Sequence, residues 1–275
     1  MDLVKKIDKL KNILRDLRRV VVAYSGGRDS TFLLKAAIDA LGKDNVIAVT
    51  ARSETYTLSE YRDAVTVAKS IGARHIVIRT NELRSNKFRA NPVNRCYYCK
   101  KELFNKLTKI RNKYKMDHVI DGTNFDDLKD IRYGSLAAKE LDVKRPMLEA
   151  GITKRNISVF SKKLGLPTWN KPSGACLASR FPFNDPITKD GLLRIGEAED
   201  FLRRIGFGQV RVRMHGSMAR IEIPQDRMSL GLKLKEDIVK KLKDIGFVYV
   251  TLDLGGYRTG SMHEAQSIDK NLVEV

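Results

Sequence analysis

The stretch "VVVAYSGGRDSTFLLK", residues 20–35, decides how the rest of the chain is read. Its apolar, β-branched opening predicts a buried strand. After Asp29 the apolar residues return at three- and four-residue intervals, which predicts a helix over 30–41. Between the two lie Ser25, Gly26, Gly27, Asp29 and Ser30. A helix N-terminus at the end of a strand offers unpaired N–H groups and a partial positive charge, so an anion fits there. Glycine allows unusual backbone angles and close approach of a phosphate, and the two serines add hydroxyls. No lysine follows the glycines, so this is not the P-loop of kinases and GTPases, and it is not G-x-G-x-x-G either.

Working outward, further strands are expected at 45–50, 74–79 and 117–122, and helices near 58–71, 97–113 and 153–164, the last capped by Thr153. Strands alternating with helices predict an α/β fold, a doubly wound parallel sheet. In such sheets ligands bind beyond the carboxyl ends of the strands, so residues after 24, 50, 79 and 121 carry the interest. The segment "GLPTWNKPSGACLASRFPF" (165–183) is a structured crossing rich in Gly, Pro and Ser. A different pattern follows it: a helix near 188–205 that stops at Gly206, strands at 209–215 and 218–224, a helix near 231–244 and a strand at 247–254. This second unit is a smaller C-terminal α+β domain with one face of its strands polar. The expected domains are 1–180 and 181–275.

Composition narrows the function classes. The 275 residues are 42% hydrophobic and 31% charged, enough for a sizeable core and more than one domain. A net charge of +19 points to an anionic partner such as a nucleotide, a phosphorylated metabolite or nucleic acid, or else to solvated helix faces. The first segment, "MDLVKKIDKLKNILRDLRR", reads as an amphipathic helix without the apolar core of a signal peptide or membrane span, and the expected location is the cytoplasm.

Three cysteines are present: Cys96 and Cys99 in "NRCYYCKKELF", and Cys176 in "SGACLASRFPF". As residue types they leave several roles open. They could be inert thiols, a redox pair, part of a zinc site with a histidine, or three thiolates for a [4Fe–4S] cluster with one iron left without a protein ligand. None of the histidines, His75, His118, His215 and His263, stands near a cysteine in sequence. Lys100 and Arg180 flank the cysteines and are candidate cations for phosphates or for charge developing in a reaction. Ser179 is a candidate phosphate donor or a cap. Gly122 and Thr123 follow a strand end where a nucleotide would lie, while Asp126 and Asp127 read equally as solvated turn residues. Arg211 and Arg213 alternate on one strand, so both face the same way.

The motif S-G-G-x-D-S, here Ser25 to Ser30, resembles the signature of the PP-loop ATP pyrophosphatases, which have an adenine nucleotide alpha hydrolase-like fold and split ATP into AMP and pyrophosphate. The resemblance implies that the loop (Ser25, Gly26, Gly27, Asp29, Ser30) holds pyrophosphate, that Asp29 binds the Mg2+ accompanying ATP, and that a substrate oxygen is adenylated. Across the chain, "DGTNFDDLKDIRYG", "PMLEAGITKRNI", "GACLASRFPF", "VRVRMHG" and "YVTLDLGGYRTG" resemble the LarE family of ATP-dependent sulfur transferases. These act in synthesis of the nickel-pincer nucleotide, the lactate racemase cofactor. That resemblance implies a small-molecule nucleotide substrate, a pyridinium dicarboxylate mononucleotide, whose carboxylates become thiocarboxylates. Some members sacrifice one cysteine in the "GACLASR" segment. Others carry three cysteines and resemble cluster-dependent enzymes, and this sequence has the three-cysteine pattern. It implies Cys96, Cys99 and Cys176 as ligands of a [4Fe–4S] cluster, Cys176, Asp29 and Arg180 as catalytic, and Gly122, Lys100, Ser179 and Arg180 at the nucleotide. It also implies Arg211 and Arg213 at the substrate phosphate, a metal between subunits at Glu199 and Glu222, a hexameric homo-oligomer, and a donor that reloads sulfide. Rival readings are a PP-loop tRNA thiolase, which the absence of a recognisable RNA-binding module disfavours, an amide-forming ligase, which leaves the cysteines without a task, and a non-enzymatic nucleotide sensor.

Overall fold

Three valines in succession suit a strand covered on both faces, because alternate side chains point opposite ways. The computed structural model describes residues 3–129, 133–172 and 174–258 and puts this run in such a place. Strands β1 (Val20–Ala23), β2 (Val46–Arg52), β3 (Arg74–Arg79) and β4 (His118–Ile120) form one parallel sheet in the order β3-β2-β1-β4. The helices of this part are α1 (Leu3–Leu17), α2 (Arg28–Leu41), α3 (Leu58–Ser70), α4 (Asn86–Arg89), α5 (Arg95–Lys113), α6 (Gly134–Glu140), α7 (Pro146–Glu149) and α8 (Lys154–Lys163). Val20 and Val22 pack with Leu14 of α1, Phe32 of α2, Met147 of α7 and Ile157 of α8. Val21 packs with Phe104 and Leu107 of α5 and Ala137 of α6 on the other face. The doubly wound parallel sheet expected from the alternation is therefore the observed one.

The chain order reverses at β1. It steps from β1 to β2 to β3 on one side, and β4 then takes the other side of β1. The crevice beyond the carboxyl ends of β1 and β4 is the topological switch point, where open α/β sheets bind ligands. Thr153 caps α8 as predicted, accepting from the Asn156 amide 3.2 Å away while the Asn156 side chain returns to the Thr153 amide, and Thr57 with Glu60 forms a capping box on α3.

The chain divides into two compact units, Met1–Phe88 with Asn94–Gly174 and Arg89–Val93 with Ala175–Val275. The second holds α9 (Lys189–Arg204), β5 (Arg211–His215), β6 (Met218–Glu222), α10 (Met228–Lys233), α11 (Lys235–Ile245) and β7 (Tyr249–Leu252). Its sheet is ordered β5-β6-β7, antiparallel between β5 and β6 and parallel between β6 and β7. The single helix expected near 231–244 is two, α10 and α11, parted where Leu234 leaves helical geometry at φ −97 and ψ 15. Apolar periodicity runs through a one-residue break unchanged, so the sequence does not reveal it. Among the described residues, no helix is long and apolar enough to cross a membrane. Asp130, Ile131, Arg132, Ser173, Thr259, Gly260 and His263, which fall in the quoted motifs or among the histidines, lie outside the described residues.

Candidate active site

The loop from Ser25 to Ser30 leaves the end of β1 and enters α2 at the switch point. Gly27 is the N-cap of α2 and supplies no side-chain cap to the first-turn amides of that helix. Polar groups converge on this spot. The Ser25 and Ser30 hydroxyls are 3.0 Å apart, the Ser25 amide donates to Ser30 Oγ at 3.2 Å, and the Gly27 amide donates to Ser25 Oγ at 3.3 Å. Gly26 has φ +68, and a Cβ there would lie 2.5 Å from Ala64 Cβ, so both conformation and space demand glycine.

Asp29 stands in the first turn of α2. Its carboxylate accepts from Arg28 Nε at 3.3 Å and from Asn124 Nδ2 at 2.9 Å. Burial pushes its pKa above the ordinary aspartate range, against the pull of Arg28. Gly122, just past β4, packs against the loop backbone, where a Cβ would lie 3.3 Å from Ser30 Cα and Ser30 N. It lets the two strand-end loops meet. Asp126 and Asp127 are not solvated turn residues: Asp126 accepts from the Lys154 amide at the start of α8 at 2.8 Å, and buried Asp127 accepts from the Asn124 amide at 3.1 Å and pairs with Lys154 Nζ at 3.3 Å. Together they fix Asn124, which fixes Asp29.

Cys96 and Cys99 lie on the opening turn of α5, three residues apart and so on one side of the helix. Cys99 Sγ lies 4.0 Å from Oε1 of Glu82, a buried carboxylate. Lys100 is half-buried beside them, with its ammonium 5.1 Å from the centre of the Phe104 ring. Cys176 belongs to the second unit, where it is exposed and caps a 3₁₀ turn, Leu177–Arg180. None of the three is in a disulfide. Within either unit, no group of three or more His, Cys, Asp or Glu side chains among the described residues could hold a metal ion.

Similarity to known proteins runs over both units. A family model described as NAD synthase matches residues 3–119. The chain is 39% identical over 251 residues to the pyridinium-3,5-bisthiocarboxylic acid mononucleotide synthase of Lactiplantibacillus plantarum, covering 91% of each chain. The chain belongs to the LarE family. It is also 42% identical over 268 residues to an uncharacterized protein of Synechocystis sp., covering 95% of this chain and 98% of that one. An uncharacterized protein of Methanocaldococcus jannaschii is 37% identical over 264 residues, or 94% of this chain and all of that one. The NAD synthase match ends before Cys176, so it describes the PP-loop half of this LarE-family chain and not the segment that distinguishes it.

Around Cys176, the LarE-family chain is built differently from the sequence expectation. Arg180 is only 2% exposed. Its guanidinium forms a two-point pair with Glu199, at 2.7 and 3.0 Å, and donates through Nη1 to the carbonyls of Ala175 and Cys176 at 2.8 and 3.2 Å and to Ser179 Oγ at 2.8 Å. The geometry is that of a brace for the Cys176 turn and not of a cation turned to solvent for phosphates. The polar strand face expected on β5 is buried as well. Arg213 donates to the Ser179 carbonyl at 2.9 Å and to Glu222 at 2.8 Å, and Arg211 donates to the Val210 carbonyl at 2.8 Å with its guanidinium 5.4 Å from the centre of the Tyr257 ring. Glu199 and Glu222, both fully buried, make this tolerable: each accepts from two arginines, Arg180 and Arg203 for Glu199, Arg213 and Arg220 for Glu222. Burial also lowers the pKa of Arg211, with neighbouring Arg180 adding to the effect.

Several residues of the site escape sequence reading. Asn124 is fully buried in a stretch that looks like an ordinary turn. Tyr56, in the loop after β2, donates its hydroxyl to the Ser25 carbonyl. Lys171 lies 3.5 Å from the Gly26 carbonyl and 3.2 Å from Asp63. The position of Tyr56 beyond a strand end is the one available signal; Lys171 stands 145 residues after the Gly26 it touches, and nothing local marks it.

Proposed function

We propose that this LarE-family chain adenylates a carboxylate of a pyridinium dicarboxylate mononucleotide with ATP and then converts it to a thiocarboxylate, a step in building a nickel-pincer nucleotide. The observation that carries this reading is the PP-loop at the switch point, a glycine-rich helix start with no side-chain cap, two facing hydroxyls and a carboxylate oriented by Asn124. A pyrophosphate leaving group suits those amides and hydroxyls. The named activity of the L. plantarum relative supplies the substrate class.

In the first half-reaction a substrate carboxylate oxygen attacks the α-phosphorus of ATP, and the bond to the β-phosphate oxygen breaks to release pyrophosphate. Ser25, Gly26, Gly27 and Ser30 bind the departing group, and the Asp29 carboxylate is the ligand assigned to Mg2+, a hard cation that prefers oxygen. In the second half-reaction sulfur displaces AMP at the activated carbon. Cys96, Cys99 and Cys176 are the thiols we assign to a [4Fe–4S] cluster; thiolate sulfur is the donor type such clusters take, and the one-turn spacing of Cys96 and Cys99 suits two neighbouring ligands. When bound, that group would supply replaceable sulfide. Arg180 acts as a positioning residue, since it holds the Cys176 carbonyl, and Ser179 is oriented by Arg180 and Arg213. Arg211 and Arg213, buried in the second unit, are assigned to the substrate phosphate on family resemblance, and Lys100 and Gly122 are assigned to the nucleotide, Gly122 because it packs against the loop. A homo-hexamer and an external sulfide donor, both on family resemblance, and a cytoplasmic setting, on the charged amphipathic first segment, complete the proposal.

The test is anaerobic turnover with ATP, Mg2+, sulfide and the pyridinium dicarboxylate mononucleotide, read by mass spectrometry for oxygen-to-sulfur exchange and by AMP and pyrophosphate release. Iron and acid-labile sulfide are measured in parallel. About four irons per chain, lost in Cys176→Ser, support the cluster. Thiolation without iron, leaving dehydroalanine at 176, overturns it in favour of a sacrificial cysteine.

A further inference from the structure

Two adjacent glycines have no side chains with which to hold their own peptide planes, yet an anion site needs those planes aimed. The aim comes from elsewhere in the chain. Three consecutive carbonyls at the start of the loop each have an external donor: Thr50 Oγ1 donates to the Tyr24 carbonyl at 2.8 Å, the Tyr56 hydroxyl to that of Ser25, and Lys171 Nζ to that of Gly26 at 3.5 Å. In a trans peptide the C=O and N–H point opposite ways, and among the described residues no peptide is cis. Each pinned carbonyl therefore sends the amide of the residue after it, Ser25, Gly26 or Gly27, the opposite way. The Ser25 and Gly27 amides do point at the Ser25–Ser30 hydroxyl pair, at 3.2 and 3.3 Å.

We infer that Tyr56 and Lys171 are positioning residues of the PP-loop, which hold the Ser25 and Gly26 carbonyls away from the anion so that the Gly26 and Gly27 amides face it. This rests on the reading that the loop holds pyrophosphate. Charge is not the main contribution of Lys171, because its ammonium already faces Asp63 at 3.2 Å. Burial raises the pKa of Tyr56, which keeps its hydroxyl a donor throughout the working pH range.

The experiment is calorimetric titration of the full chain with pyrophosphate and, separately, AMP. Tyr56→Phe and Lys171→Met each remove one donor and should weaken pyrophosphate about tenfold, the scale of one misdirected hydrogen bond, with AMP affinity unchanged. Lys171→Gln keeps an N–H donor without the charge and should recover most of the loss. Equal losses in Gln and Met would assign Lys171 an electrostatic role, and wild-type affinity in both Phe and Met would dismiss the clamps; either overturns the inference. Should Tyr56→Phe melt early, the Gln and Met pair still decides. Wild-type protein that binds pyrophosphate but releases no AMP with any carboxylate overturns the sulfur-transfer reading alone, and wild-type protein that binds no pyrophosphate overturns both.

Discussion

Replacing Gly26 by alanine sets a methyl group against a wall that cannot retreat. The built Cβ would stand 2.5 Å from Ala64 Cβ and 2.7 Å from Ala64 Cα, both fixed by the helix α3 backbone. Such overpacking costs about 1–3 kcal/mol, and holding a non-glycine residue at left-handed angles adds about 1–2 kcal/mol. The expected loss is therefore about 2–5 kcal/mol, a large share of a typical folding free energy. Gly27→Ala is the matched control. Gly27 has φ −77, and its Cβ would meet only the Ser25 hydroxyl, at 3.3 Å. That variant should keep its stability within about 1 kcal/mol while pyrophosphate release falls, because the methyl crowds the anion site. Chemical and thermal unfolding of both proteins, with pyrophosphate release measured on the same samples, separates the effects. If Gly26→Ala melts together with Gly27→Ala and wild type, the contact with Ala64 does not constrain the loop and the steric argument fails.

Other perturbations probe the remaining parts. Asp29→Ala should abolish pyrophosphate release at unchanged melting temperature, and unchanged ATP cleavage would remove the loop from the reaction. Asn124→Ala should reduce pyrophosphate release at saturating ATP with a milder effect on ATP binding, because it frees the carboxylate from its 2.9 Å donor; an equal loss of both in an unstable protein would mean that Asn124 only supports the fold. Glu199→Ala strips the partner from buried Arg180 and should cost about 3–5 kcal/mol, measurable by denaturant unfolding. Acid unfolding offers a further check. Burial pushes the Glu199 carboxyl upward, but Arg180, Arg203 and Arg211 outweigh it and hold the carboxyl below the ordinary glutamate range. The folded-state value is depressed, so the stability this group contributes is complete above the ordinary glutamate pKa and lost as pH falls through the lower folded value. Glu199→Gln should remove that acid-limb dependence, and an unchanged stability profile between wild type and variant would show that the pair is not linked to folding.

The sequence by itself determined the sheet and the loop. A run of valines can be satisfied only by burial on both faces, and Gly-Gly marks a turn between strand and helix, so residues 20–35 located β1, α2 and the loop between them before any contact was known. Periodicity likewise located β2, β3, β4, α3, α5 and α8, because amphipathic spacing is a local property of the chain. Tertiary structure alone decided which polar residues touch the loop and which are buried in the second unit. Arg180, Arg211 and Arg213 look like exposed cations in sequence, yet all three are buried, Arg180 against Glu199 on α9 and Arg213 against Glu222 on β6. Asn124, Tyr56 and Lys171 look like turn and surface residues, yet they orient Asp29 and the loop carbonyls. The physical reason is that burial and hydrogen-bond partnership depend on segments far apart in the chain, and a local pattern carries no record of who arrives from a distance.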